Sequence, residues 1–217
     1  MITQNAKADL DLMAGGSYSQ SRDVIKHVVY DTWHLPAAST DHTYFSQPVG
    51  SQFGGGTKTL NETNLTDSGK LPNGQVFLVK RFGVKCISYH PIADTDAPDV
   101  AQSFFNVLQS SVFELRTAGR DFDMQLPGSH LTPMVAVNSL TATDIGAARA
   151  GDTIASGWYA LGAFPIVYDQ LVNFSAVQRI QNAVAAAATV VDAALTLLNG
   201  LEAGIQVQLE GVLSRAK

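Results

Sequence analysis

Three features of the sequence predict an all-β protein built as an antiparallel sandwich. They are a hairpin legible residue by residue at 112–127, a series of short alternating apolar segments, and clusters of turn residues between them. In VFELRTAGRDFDMQLP, Phe113, Leu115 and Thr117 alternate with Glu114 and Arg116. Phe122, Met124 and Leu126 alternate with Asp121, Asp123 and Gln125. Alternation of this kind gives a strand one buried and one solvated face. Gly119-Arg120 suits a two-residue type II′ turn. That turn sets Phe113 opposite Leu126, Leu115 opposite Met124 and Arg116 opposite Asp123, so apolar residues meet apolar ones and the outward pair has opposite charges. The hairpin is therefore expected to be scaffold, with function in the loops and termini around it.

The remaining elements follow in order. Residues 1–23 are polar and rich in Gly and Ser, and read as an N-terminal arm; residues 24–217 read as one domain. Val24–Leu35 is a first strand and His42–Val49 a second. Gly50–Gly74 is punctuated by Gly54-Gly55-Gly56, Asp67-Ser68-Gly69 and Pro72-Asn73-Gly74, and reads as a long functional or partner-covered loop. Gln75–Tyr89 is a long strand with Gly83 as its bulge or bend. Val100–Leu108 has helical spacing, with Asp99 as its cap. Trp158-Tyr159 and Phe164–Tyr168 are strand-like. Ala183–Leu198 is open between helix and strand, because alanine favours the first and Val190-Val191 the second. Ile205–Glu210 is a final strand with clean alternation. Eight or nine strands with long loops make a β-sandwich or barrel, and the one short inserted helix with a strand at the C-terminus fits a single jelly roll, whose basic form is eight strands in two sheets.

The chain has 217 residues, 46% of them hydrophobic, enough for a substantial core. Only 15% are charged, against about 25% in a typical domain. Either another chain covers part of the surface, or Ser, Thr, Asn and Gln carry it. The net charge of −5 opposes sequence-independent binding to nucleic acid, which needs Lys and Arg to neutralise phosphates. The sparse charges of the arm (Lys7, Asp9, Asp11, Arg22, Asp23) do the same. The local basic cluster Lys80, Arg81 and Lys85 reads as a solvated strand edge. Cys86 is the single cysteine, so no intrachain disulfide forms, and it reads as a small buried hydrophobe. The N-terminal stretch lacks the apolar core of a secretory signal, so the sequons at Asn61, Asn64 and Asn173 carry little weight.

Tests for chemistry lead to no catalytic, cofactor-binding or metal residues. GSQFGGGTKT departs from a phosphate-binding loop, because Thr57 separates Gly56 from Lys58 and no helix follows. His27, His34, His42, His90 and His130 are too scattered for a metal-ligand pair. Asp94, Asp96 and Asp99 could bind a hard cation with loop carbonyls, but turns and a helix N-cap account for them better. Asp121 and Asp123 lie on the outward face of the hairpin, not in a cleft. Trp33, Trp158 and Tyr159 could line a sugar site or fill the core.

TLNETNLTDSGKLPNGQVFLV, VFELRTAGRDFDMQLPGSHL and IQVQLEGVLSR are similar to segments of structural proteins from tailless icosahedral bacteriophages. Over Asp41–Arg215 the chain resembles a jelly-roll major capsid (coat) protein of such a phage. Many of those proteins are double jelly rolls, and 217 residues hold only one, which points to a single-jelly-roll subunit or a minor virion protein. The resemblance implies a non-enzymatic virion protein, synthesised in the host cytoplasm. Its expected partners are copies of itself in a capsid lattice and minor capsid proteins, with no small-molecule substrate and with contact to membrane or genome left open. The alternative from a different class is a carbohydrate- or receptor-binding sandwich, such as a virion spike or lectin-like module.

Overall fold

The structure is a computed structural model that describes residues 22–34, 41–53, 56–88, 106–118, 122–131, 134–135, 158–162, 165–170, 172–180 and 203–216. The strands are β1 (Arg22–His34), β2 (His42–Tyr44), β3 (Gln52–Phe53), β4 (Gly56–Thr57), β5 (Gln75–Ser88), β6 (Ser111–Thr117), β7 (Met124–Pro127), β8 (Met134–Val135), β9 (Trp158–Ala160), β10 (Ile166–Tyr168), β11 (Phe174–Ile180) and β12 (Ala203–Ala216). Residues 106–109 are helical, and Gly128–His130 form one turn of 3-10 helix. The protein is an all-β antiparallel sandwich, as the alternation predicts. The first sheet runs β1-β12-β5-β10, with β8 and β9 also on β5; the second runs β2-β11-β6-β7. Strands β3 and β4 make a separate small ribbon. The single parallel contact among the described strands is β5 with β8.

Inward side chains of the two sheets form one core. Val29, Trp33, Phe77, Val79, Phe82, Val84, Ile205, Val207 and Leu209 come from the first sheet, and Tyr44, Phe113, Leu115, Phe174 and Ala176 from the second. Phe82 and Phe113 meet across the gap with ring centroids 5.7 Å apart. At about 25 cal/mol per Å² of apolar surface removed from water, rings of this size dominate the favourable term. The hairpin has the expected register: Phe113 faces Leu126, Glu114 faces Gln125 and Leu115 faces Met124.

Several expectations need correction. The strand expected over 42–49 stops at Tyr44, because Phe45 turns the chain with φ = 67°. Phe122, expected to face inward, is 54% exposed, since the β6–β7 ladder ends at Leu115 and Met124. Lys80, Arg81 and Lys85 are not on a sheet edge, because β5 is interior to its sheet. The final strand is longer than 205–210, and its outward residues are buried too: Gln206, Glu210 and Ser214 are all at most 8% exposed. A central strand with both faces covered loses the wet row that alternation implies. β1 begins at Arg22, inside the stretch read as arm. The turn at Gly119-Arg120, the helix before residue 106, the Asp94-Asp96-Asp99 loop and Ala183–Leu198 lie outside the described residues.

The bulge of β5 is at Lys80, not Gly83: Glu210 pairs with Arg81, and the next residue, Gly211, pairs with Val79. An extra residue in one strand tightens the local twist and brings backbone close to backbone. A Cβ at Gly211 would lie 1.9 Å from the Leu78 carbonyl oxygen. Gly83 serves a different purpose, lying beneath the Trp158 indole, where a Cβ would meet the ring at 2.7 Å. Gly211→Ala is expected to cost about 2 kcal/mol through overpacking. Urea unfolding measures it, and an unchanged midpoint would refute this account of the bulge.

Candidate functional site

In the second sheet the register sets the start of β11 beside the end of β6. There, residues 45–46 and 68–69 of the β2–β5 connection meet Ala118 after β6 and Asn173 before β11. They enclose an open cleft of about 360 Å³ lined by Phe45, Ser46, Ser68, Gly69, Arg116, Thr117, Ala118, Asn173, Phe174 and Ser175. Backbone bonds fix its shape: Gly69 N–H donates to Phe45 O (2.6 Å), Phe174 N–H to Gly69 O (2.8 Å) and Ala118 N–H to Asn173 O (2.7 Å). The Ser68 hydroxyl donates to Ser46 O (2.6 Å). Phe45 and Phe174 are themselves buried, so the cleft presents hydroxyls, an amide and a guanidinium but no exposed ring on which a sugar could stack.

The cleft wall at Phe45 is held by a buried ion pair. Asp31, on the inward face of β1, binds Lys58 Nζ through Oδ1 (2.5 Å) and accepts the Phe45 N–H through Oδ2 (2.6 Å). Both side chains of the pair are 1% exposed. Burial raises the Asp31 pKa, and the Lys58 charge together with the bonds from Lys58, Phe45 and Thr63 oppose that rise. Asp31 thus fixes Phe45 in a left-handed conformation that costs a non-glycine residue about 1–2 kcal/mol. Beside the pair, His42 stacks on Trp33 with centroids 4.3 Å apart. Its Nε2 is shut off from water and has no hydrogen-bond partner. Burial, reinforced by the Lys58 charge, lowers the His42 pKa to about 3. Tyr44 donates to Gln178 Oε1 (2.6 Å), and Gln178 donates to Ser111 Oγ (2.8 Å), a second buried polar chain.

The same loop closes part of the β1 edge. The Asn64 amide accepts the Tyr30 N–H (3.0 Å) and donates to Val28 O (2.7 Å), so one side chain does the work of a strand rung. Asn64→Ala is expected to lower stability by about 1–2 kcal/mol, because two edge groups lose their partner. Thermal unfolding checks this.

The outer face of the hairpin is a charge network centred on Glu114, not the solvated row that alternation suggests. Glu114 is 6% exposed. It pairs with Arg116 on its own strand and with Arg179 on β11 (3.4 Å), and it accepts from Gln125 (3.1 Å). Burial works to raise the Glu114 pKa, but the bonds from Arg116 and Gln125 and the two cationic charges leave it lowered overall. Arg116 is thus paired with Glu114, and Asp123 accepts the Thr117 hydroxyl.

The aromatic candidates are not brought together. Trp33 is core, while Trp158 covers Gly83 on the outward face of the first sheet beside Tyr159, which is 37% exposed. Among the described residues no three His, Cys, Asp or Glu side chains are grouped to hold a metal ion. Lys58, which follows the glycine run of GSQFGGGTKT, is the partner of Asp31. The available signal was Asp31 itself: with Ile25, Val29 and Trp33 it occupies the apolar face of VIKHVVYDTW, where a carboxylate requires a partner. Comparison with known protein families, with curated proteins and with solved structures gives no match.

Proposed function

We propose that the chain is a self-assembling capsid subunit of an icosahedral phage shell, a virion structural protein without catalysis. The order of the strands carries this reading. Numbered one to eight along the chain, β1, β2, β5, β6, β7, β10, β11 and β12 pair first with eighth, second with seventh, third with sixth and fourth with fifth. This nesting supports a jelly roll, a folded-back ribbon rolled into two sheets. The fold itself does not imply the function. The resemblance of the loop, hairpin and terminal segments adds to it, and so does the rigidity that the buried Asp31–Lys58 clamp gives the long loop. Subunits of closed shells associate through heterologous contacts that complete rings. Electron microscopy of the purified protein or of its source particle tests the reading. Closed shells of one size are expected; a monodisperse monomer at every concentration and in every buffer overturns it.

By its shape the cleft supports a second reading, a receptor-binding module of a virion, or a carbohydrate-binding one that works without ring stacking. It is concave and carries a few convergent polar groups, as small-ligand sites do. A glycan array separates the two: binding that Arg116→Ala abolishes supports the module, and a blank array removes its carbohydrate form.

A further inference from the structure

We propose that β1 pairs antiparallel with β1 of a second copy around a two-fold axis at Ile25, joining two sheets into one. The inference sharpens the self-assembly reading by naming one contact. Among the described strands β1 ends its sheet, and its edge is treated unequally along its length. Asn64 occupies the edge groups of Val28 and Tyr30. These even-numbered residues turn their backbone N–H and C=O away from β12, so Val24 and Lys26 present theirs to the same edge. A row of unpaired edge groups is a template for another strand unless something guards it. The guarding side chain would be Lys26, but its ammonium lies on Glu210 of β12 (2.5 Å), drawn back from the edge toward the neighbouring strand.

Charge selects the register. A second β1 must set even residues opposite even ones for the rungs to bond. Centring on Val24 brings Arg22 against Lys26, and centring on Lys26 sets that residue against its twin; both juxtapose like charges. Centring on Ile25 places Val24 opposite Lys26, opposes no like charges, and ends the ladder before Val28, whose C=O Asn64 already holds. The pairing stops where Asn64 begins, so the guarded half of the edge marks its limit. Such a contact is isologous, the commonest symmetry of soluble oligomers.

Cross-linking tests the register. In this pairing the two Ile25 Cα atoms form a non-hydrogen-bonded pair about 4.5 Å apart, within the roughly 4.4–6.8 Å span of a disulfide. Ile25→Cys in a Cys86→Ala background is expected to oxidise to a dimer on a non-reducing gel, and Lys26→Cys in the same background is not. Lys26→Pro removes an edge N–H without touching the β12 ladder, and should weaken self-association at least tenfold in sedimentation while the folded monomer persists. Assembly that survives Lys26→Pro, with no Ile25→Cys cross-link, overturns the β1 contact and leaves the capsid reading standing. A monomer under all conditions overturns both.

Discussion

Lys58→Met is expected to destabilise the protein by about 3–5 kcal/mol, the cost of leaving one member of a buried ion pair without its counter-charge. In a domain of this size that corresponds to a drop in Tm of roughly 10 °C. The cause is not the Coulomb energy of the pair, most of which offsets desolvation. It is the uncompensated Asp31 carboxylate, 1% exposed and beneath the turn at Phe45. Restoring neutrality should therefore restore stability. The double variant Asp31→Asn with Lys58→Met keeps an acceptor for the Phe45 N–H and should regain most of the loss. A double-mutant cycle in urea measures the coupling. A Lys58→Met loss under about 1 kcal/mol would sink the view that this pair clamps residues 45–65 to β1.

Acid should weaken the protein through His42 from about pH 6.5 downward. The folded-state pKa of His42 is lowered to about 3 by burial and by the nearby Lys58 charge, against about 6.5 in the unfolded chain. Between those values the unfolded state binds a proton that the folded state refuses, so stability falls as pH falls. The loss begins near pH 6.5 and amounts to on the order of 3 kcal/mol by pH 4, at 1.36 kcal/mol per pKa unit. Half-buried His27, also lowered by burial, adds in the same direction. His42→Phe keeps an aromatic ring against Trp33 and removes the titration, so its stability between pH 7 and pH 4 should decline much less than that of the parent. Parallel pH profiles for the two proteins would refute the assignment.

How much was legible in the sequence depended on the range over which each residue is determined. The hairpin register at Phe113–Leu126 and Leu115–Met124 was readable because a short turn brings its arms together and alternation fixes which residues face inward. The strands at β1, β5 and β12 were readable from period-two patterns, though not their full lengths. The end of β2 was not, since what turns the chain at Phe45 is a bond from its N–H to Asp31, fourteen positions earlier. Glu114 and Gln206 were expected to be wet by alternation. Their burial depends on Arg179 in the one case and on Thr32 and Asn61 in the other, residues far away in the chain.

By itself, then, the sequence determined that this protein is an antiparallel β-sandwich and which faces of its strands are apolar, because both are consequences of local period and turn chemistry. Only the tertiary structure decided that β12 is central while β1 ends its sheet among the described strands, that Lys58 belongs to Asp31, and that three loops converge on one cleft. Each of those depends on which strand lies beside which, a matter of long-range packing in which local patterns are degenerate. The polar residues show it most clearly. A buried Asp or Gln announces the need for a partner, but the partner is chosen by the fold.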